Sequence, residues 1–144
     1  YLLLLLPFAI ASCGGDDKDE PEVTSNDPEG TIVMNLVNND DDICIDDSWP
    51  YMYVGMTPQN NIDTWYHSGQ IVSVGKVKGL SDIKKVPESG WAERCAATPG
   101  CGYVIRQADG SGGYKYCRVY LVDFITSTSG GIMGATIKYQ LWNP

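Results

Sequence analysis

From Thr31 onward the apolar residues come in short runs rich in Val, Ile and Tyr, separated by clusters of Gly, Asn, Asp and Pro, which is the punctuation of strands. Ile32, Met34 and Leu36 alternate with Val33, Asn35 and Val37, and residues 51–56 and 71–77 form two further runs. The clearest periodicity comes last. In residues 114–125, Cys117, Val119 and Leu121 share one face while Tyr116, Arg118 and Tyr120 share the other, as a half-buried strand requires. Met133, Ala135, Ile137, Tyr139 and Leu141 then oppose Thr136, Lys138 and Gln140, and Ser129-Gly130-Gly131 supplies a turn, which predicts a C-terminal hairpin. Residues 91–97 and 102–107 read as two more strands about Thr98-Pro99-Gly100, with Asp109 to Gly113 breaking the chain before the hairpin. No segment keeps an apolar period of 3.6 over three turns, so only residues 82–85 or 88–94 offer a helical turn. The pattern predicts an all-β domain, an antiparallel sandwich or small barrel.

Upstream the pattern differs. Residues 1–11 are almost wholly apolar, too few to span a bilayer as a helix, and end in small residues before Cys13. This predicts a signal segment over residues 1–12, a tether over 13–30 and one domain over 31–144. The formal net charge is −8. Between Cys13 and Gly30 seven acids face Lys18 alone, so −6 of it belongs to the tether and −2 to the rest. A charged, Pro-containing tether cannot bury enough apolar area to fold. A nearly neutral domain without a basic stripe excludes nucleic acid as a partner, and leaves a lipid as the expected membrane anchor.

Ile10-Ala11-Ser12-Cys13 resembles the lipobox of bacterial lipoproteins, which implies acylation of Cys13. The following Gly14-Gly15-Asp16-Asp17-Lys18-Asp19-Glu20 resembles the acidic signal that carries lipoproteins of gut Bacteroidota to the outer surface, which implies outer-membrane, surface-exposed anchoring. Residues 87–91, 99–104 and 130–140 together resemble a family of uncharacterised Bacteroidota lipoproteins, over most of residues 31–144. That family pattern has a His where this chain has Cys101, so no role is carried to that position. The likeness implies location and fold style, and no reaction.

Four cysteines follow Cys13: Cys44, Cys95, Cys101 and Cys117. An even number in an exported domain predicts two disulfides in one of three connectivities, with Cys95–Cys101 and Cys44–Cys117 favoured. Zinc is disfavoured because no Cys-x-x-Cys pair occurs. A cysteine nucleophile needs a base, and His67 is the one histidine of the chain. His67 with Asp63 nearby could act as a general base, but a turn histidine is the simpler expectation. Asp63, Glu88, Glu93 and Asp123 are acids without a motif that pairs any two across a cleft. Asp40, Asp42 and Asp46 lie in an acidic run rich in oxygen ligands, which could hold calcium or simply form a solvated loop.

Trp49, Tyr51, Tyr53, Trp65, Tyr66 and Trp91 often stand beside turn residues, where aromatic rings offer flat faces to sugars or to partner proteins, although such rings also fill β cores; Trp49, Trp65, Tyr66 and Trp91 are the candidate ligand-binding residues. The sequence therefore predicts a non-enzymatic binding module for glycan or envelope protein. An accessory subunit of a surface assembly is the alternative, and a hydrolase follows behind it. Exposed tryptophans around a concavity favour binding, a flat apolar patch favours assembly, and a cleft with His67 beside acids favours catalysis.

Overall fold

A computed structural model of the chain describes residues 29–35, 42–56, 61–63 and 69–144. Nine strands run in chain order: β1 (Glu29–Asn35), β2 (Asp42–Asp46), β3 (Met52–Met56), β4 (Asn61–Asp63), β5 (Gln70–Lys76), β6 (Arg94–Ala96), β7 (Cys101–Ala108), β8 (Tyr114–Thr126) and β9 (Ile132–Trp142). They form two antiparallel sheets, one in the order β1-β9-β8-β7-β5 and one in the order β2-β3-β4-β6. The sheets are separate, so the fold is a sandwich rather than a barrel. The expected short helical turn is a 3-10 turn at Leu80–Asp82, which shares only Asp82 with the first span predicted for it.

Alternation builds the core. Across the five-stranded sheet, Ile71, Ile105, Cys117 and Leu141 stand in one row, and Val119 and Ile137 in neighbouring rows. These side chains meet Ile45, Met52, Val54, Met56 and Ile62 from the smaller sheet in one buried cluster. The two faces read from residues 117–121 and 135–141 are therefore the inner faces of β8 and β9.

The opposite face of the large sheet is not open to water throughout. The chain from Val77 to Trp91 folds back over it, so that Leu80 and Ile83 join Val72 and Val104 in a second cluster edged by Trp91, Tyr116, Tyr120 and Trp142. Gly102 permits this approach, because a Cβ there would stand 2.8 Å from Ile83 Cδ1 and 2.9 Å from Val74 Cγ2. Arg118 is buried under the same cover. Its Nε and Nη2 donate to Gln140 Oε1, and its Nη1 donates to the Ile83 carbonyl at 3.0 Å.

Three expectations about extent are corrected. The acidic run enters strand β2 at Asp42, because Ile43 and Cys44 pair with Val54 and Tyr53 and Ile45 reaches the core. The strand expected over 91–97 shrinks to Arg94–Ala96, since its first residues bond to β5 only through Ile71 and Ala92. Strand β1 starts at Glu29, inside the span assigned to the tether, with Glu29 and Gly30 in register with Gln140 and Tyr139.

Candidate binding site

One end of the sandwich gathers the exposed rings. The loop after β2 begins with Asp46, whose Oδ1 accepts hydrogen bonds from the Ser48 amide at 2.9 Å and the Ser48 hydroxyl at 2.5 Å. Such an Asp-led turn is what a short polar side chain does when a strand ends. Lys115, on the inner side of β8, then reaches across to this loop. Its Nζ lies 3.0 Å from Asp46 Oδ2, 2.8 Å from Ser48 Oγ, 3.0 Å from the Ser48 carbonyl and 3.3 Å from the Pro50 carbonyl. Partial burial pushes the Asp46 carboxyl up, but the Ser48 hydroxyl and amide and the Lys115 ammonium together outweigh it and hold the group below its ordinary value.

The loop fixed in this way presents Trp49, 75% exposed, and Tyr51, 40% exposed, with ring centroids 5.6 Å apart and planes at 87°. An edge-to-face pair of this kind keeps two rings in a set orientation without burying them.

A second group of rings lies at the same end, on the covered face of the large sheet. Arg106 of β7 stands with its guanidinium carbon 4.2 Å from the Trp91 ring centroid and 4.5 Å from that of Tyr114. Its Nε and Nη2 donate to Gln70 Oε1 at 2.9 and 2.5 Å. The Trp91 indole N–H donates to the Pro87 carbonyl at 3.1 Å, which sets the ring angle. Tyr114 leans on Tyr116, with centroids 6.2 Å apart, and Tyr116 pairs in register with Trp142. Tyr114 and Lys115 are adjacent in β8 and point to opposite faces, so the Trp49 loop and the Trp91–Arg106–Tyr114 stack adjoin the same stretch of chain.

Of the residues singled out in the sequence, Trp49 and Trp91 come to this end together. Trp65, Tyr66, His67, Asp40 and Cys13 lie outside the described residues, and so do the side chains of Asp42 and Asp63. Asp46 does not stand free for a cation, since both of its carboxylate oxygens have partners in Lys115 and Ser48. Glu88 and Glu93 are exposed on the segment that carries Trp91, whereas Asp123 is exposed towards the opposite end of β8, with Oδ1 accepting from the Phe124 amide. Among the described residues no helix is long and apolar enough to cross a membrane.

The two expected disulfides are not formed: Cys44, Cys95, Cys101 and Cys117 are all free thiols. Alternation explains the first pair. Ile45 turns inward, so Cys44 is left on the solvent face of β2, whereas Cys117 sits fully buried in the core face of β8. Cys95 and Cys101 flank the corner between the sheets, but Tyr103 closes that corner instead. Its hydroxyl accepts from the Thr98 amide at 2.8 Å and donates to the Ala96 carbonyl at 2.9 Å. Burial pushes the Cys95 thiol up to about 11 and raises that of Cys117 as well, so both remain protonated near neutral pH and make poor nucleophiles.

Sequence reasoning missed Arg106 and Tyr114 as parts of this end. The signal available was the outward half of the strand alternation. Arg106, Tyr114 and Tyr116 all fall on the side opposite the core, and a polar face carrying large rings is a surface with shape, unlike a face of short polar residues. No protein-family model, curated protein or solved structure matches the chain.

Proposed function

We propose that the protein is a lipid-anchored lipoprotein of the outer cell surface whose β sandwich is a non-enzymatic binding module for glycans. The observation that carries the ligand class is Trp49, three-quarters exposed on a loop that Lys115 and Asp46 hold in place. A sugar ring offers C–H bonds to the face of an aromatic ring, and a ring held ready loses little freedom on binding. The buried, protonated thiols of Cys95 and Cys117 and the carboxylate of Asp46 tied to Lys115 favour binding over catalysis. The anchoring part of the reading rests on the lipobox-like Ile10-Ala11-Ser12-Cys13, on the acidic tether, and on the resemblance to Bacteroidota lipoproteins.

A glycan array with the full chain, read beside tryptophan fluorescence, tests the ligand class. Saturable binding that shifts the fluorescence and is lost in Trp49→Ala with the fold intact is the expected result. Absence of binding across a broad array overturns it and moves the weight to an envelope protein. Labelling of cells with an alkyne fatty acid tests the anchor, and incorporation is expected to vanish in Cys13→Ala.

The accessory-subunit reading has one observation in its favour. Val33 is 59% exposed on β1, an edge strand of the large sheet, and an exposed edge with an apolar residue is a surface on which another chain can pair. Crosslinking in the native envelope reports on that alternative.

A further inference from the structure

We infer that Arg106 makes this site selective for acidic sugars, with the carboxylate of a uronate residue as the group it recognises; the inference rests on the glycan-binding reading above. Arg106 is unusual within a domain of slightly negative charge. It is half-buried, its guanidinium is held between two rings, and among the described residues no carboxylate lies within ion-pair distance of it, the described ion pair being Lys115–Asp46.

The geometry decides which part of the guanidinium is available. Trp91 and Tyr114 each lie against the guanidinium, with ring centroids 4.2 and 4.5 Å from its central carbon. Gln70 Oε1 bridges Nε and Nη2, which takes the side edge of the fork. The end edge, formed by Nη1 and the second hydrogen of Nη2, has no partner among the described residues. Two parallel N–H groups in one plane match the two oxygens of a carboxylate. Partial burial strengthens such a pair relative to a fully solvated one. Tyr114, 44% exposed, offers a surface for the ring that bears the carboxylate.

The same face continues in the direction a polymer would follow. Pro87, whose carbonyl fixes Trp91, also lines an open groove of about 360 Å³ with Val74, Val77, Ile83, Lys84 and Lys85. Gly102, beneath Val74, and Arg106 are four residues apart on β7, about 13 Å along the strand at about 3.3 Å per residue. A chain of uronates carries its charges at intervals, so one carboxylate can meet Arg106 while another lies near Lys84 and Lys85. Asp82, the acid of this groove, is engaged by the Lys78 amide at 2.8 Å.

The test compares oligogalacturonate with the same oligomer methyl-esterified, by titration calorimetry against the full chain, its Arg106→Gln variant and its Arg106→Lys variant. The two ligands share ring, linkage and length, and differ in the carboxylate charge. The expected result is tighter binding of the free acid, a loss of about ten- to hundredfold for that ligand in Arg106→Gln, and little change for the ester. Arg106→Lys keeps the charge and loses the fork, so it is expected to recover only part of the affinity, with thermal melts confirming that both variants fold. Equal affinity for acid and ester, or a variant that weakens both alike, overturns the inference and leaves glycan binding standing. No binding of either oligomer, together with an empty glycan array, removes both.

Discussion

Replacement of Lys115 by Met keeps the length and apolar stem of the side chain and removes only the ammonium. In the wild type that ammonium has three N–H donors and four acceptors at 2.8–3.3 Å, so at most three of the contacts are strong at one time. The side chain of Lys115 is 26% accessible and that of Asp46 12%, which places the pair between a surface ion pair worth about 0–1 kcal/mol and a buried one. Bonds to neutral oxygens each contribute about 0.5–1.5 kcal/mol net. Discounted for that accessibility, the expected loss is about 2 kcal/mol, a sizeable part of the roughly 5–15 kcal/mol that holds a domain of this kind. Urea unfolding followed by circular dichroism measures it, with an unchanged slope showing that the same surface is exposed. The consequence for function is separate. Without the ammonium the Trp49 loop keeps only the Ser48–Asp46 bonds, so fluorescence anisotropy of Trp49 is expected to fall. Stability within about 0.3 kcal/mol of wild type and an unchanged Trp49 signal would refute the argument that Lys115 organises the site.

Tyr103→Phe removes the hydroxyl that satisfies Thr98 and Ala96 at the corner, and urea unfolding is expected to show a loss of about 1–3 kcal/mol. Mass-spectrometric readout of iodoacetamide labelling is expected to find Cys44 modified first in the native protein and Cys117 only after unfolding, and equal rates for the two would contradict their placement on opposite faces. Because the folded carboxyl of Asp46 is held below its ordinary value of 3.8, its contribution to stability is full above that pH and is lost as the pH falls through the lower folded value. Acid titration of unfolding is therefore expected to be shallower in Asp46→Asn than in wild type over that window.

Strand alternation was legible wherever one face of a strand meets the core. Residues 117–121 and 135–141 gave both the hairpin and its buried side, because a period of two admits one register against a hydrophobic layer. The shorter strands were not legible for a physical reason. Asp42–Asp46 reads as a polar loop because only Ile43 and Ile45 are apolar, and pairing with β3 is a tertiary event that no local pattern announces. Asn61–Asp63 is too short to display a period at all. The disulfide expectation failed because an even count of cysteines carries no information about which side of a strand each thiol occupies. At the candidate site the tryptophans were found by their turn neighbours. Arg106, Gln70 and Lys115 are placed there by sheet register and by contacts across 36 and 69 residues of sequence, which spacing along the chain does not encode.

The choice between rings that fill the core and rings that meet a ligand turns on where the aliphatic residues go. The main core closes with Met52, Met56, Ile62, Ile71, Ile105, Leu121 and Ile137, to which Tyr103 adds the one fully buried aromatic ring among the described residues. Among the described residues no tryptophan joins that cluster. Trp142, Tyr116 and Tyr120 edge the second cluster under the covering segment and so have structural work. Trp49, Tyr51 and Tyr114 are not among them, and leaving Trp49 three-quarters exposed forgoes most of the about 1.5–3 kcal/mol that full burial of a large apolar side chain contributes. A single exposed ring is ordinary on a protein surface. Three at one end of the sandwich, two of them on a loop fastened by a lysine from the other sheet and the third against a stacked arginine, form a surface whose orientation is maintained at a cost in stability. A flat assembly face would ask for aliphatic area without such fastening. Held aromatic rings beside an arginine without a carboxylate partner among the described residues are what the proposed recognition of an acidic sugar ring would use.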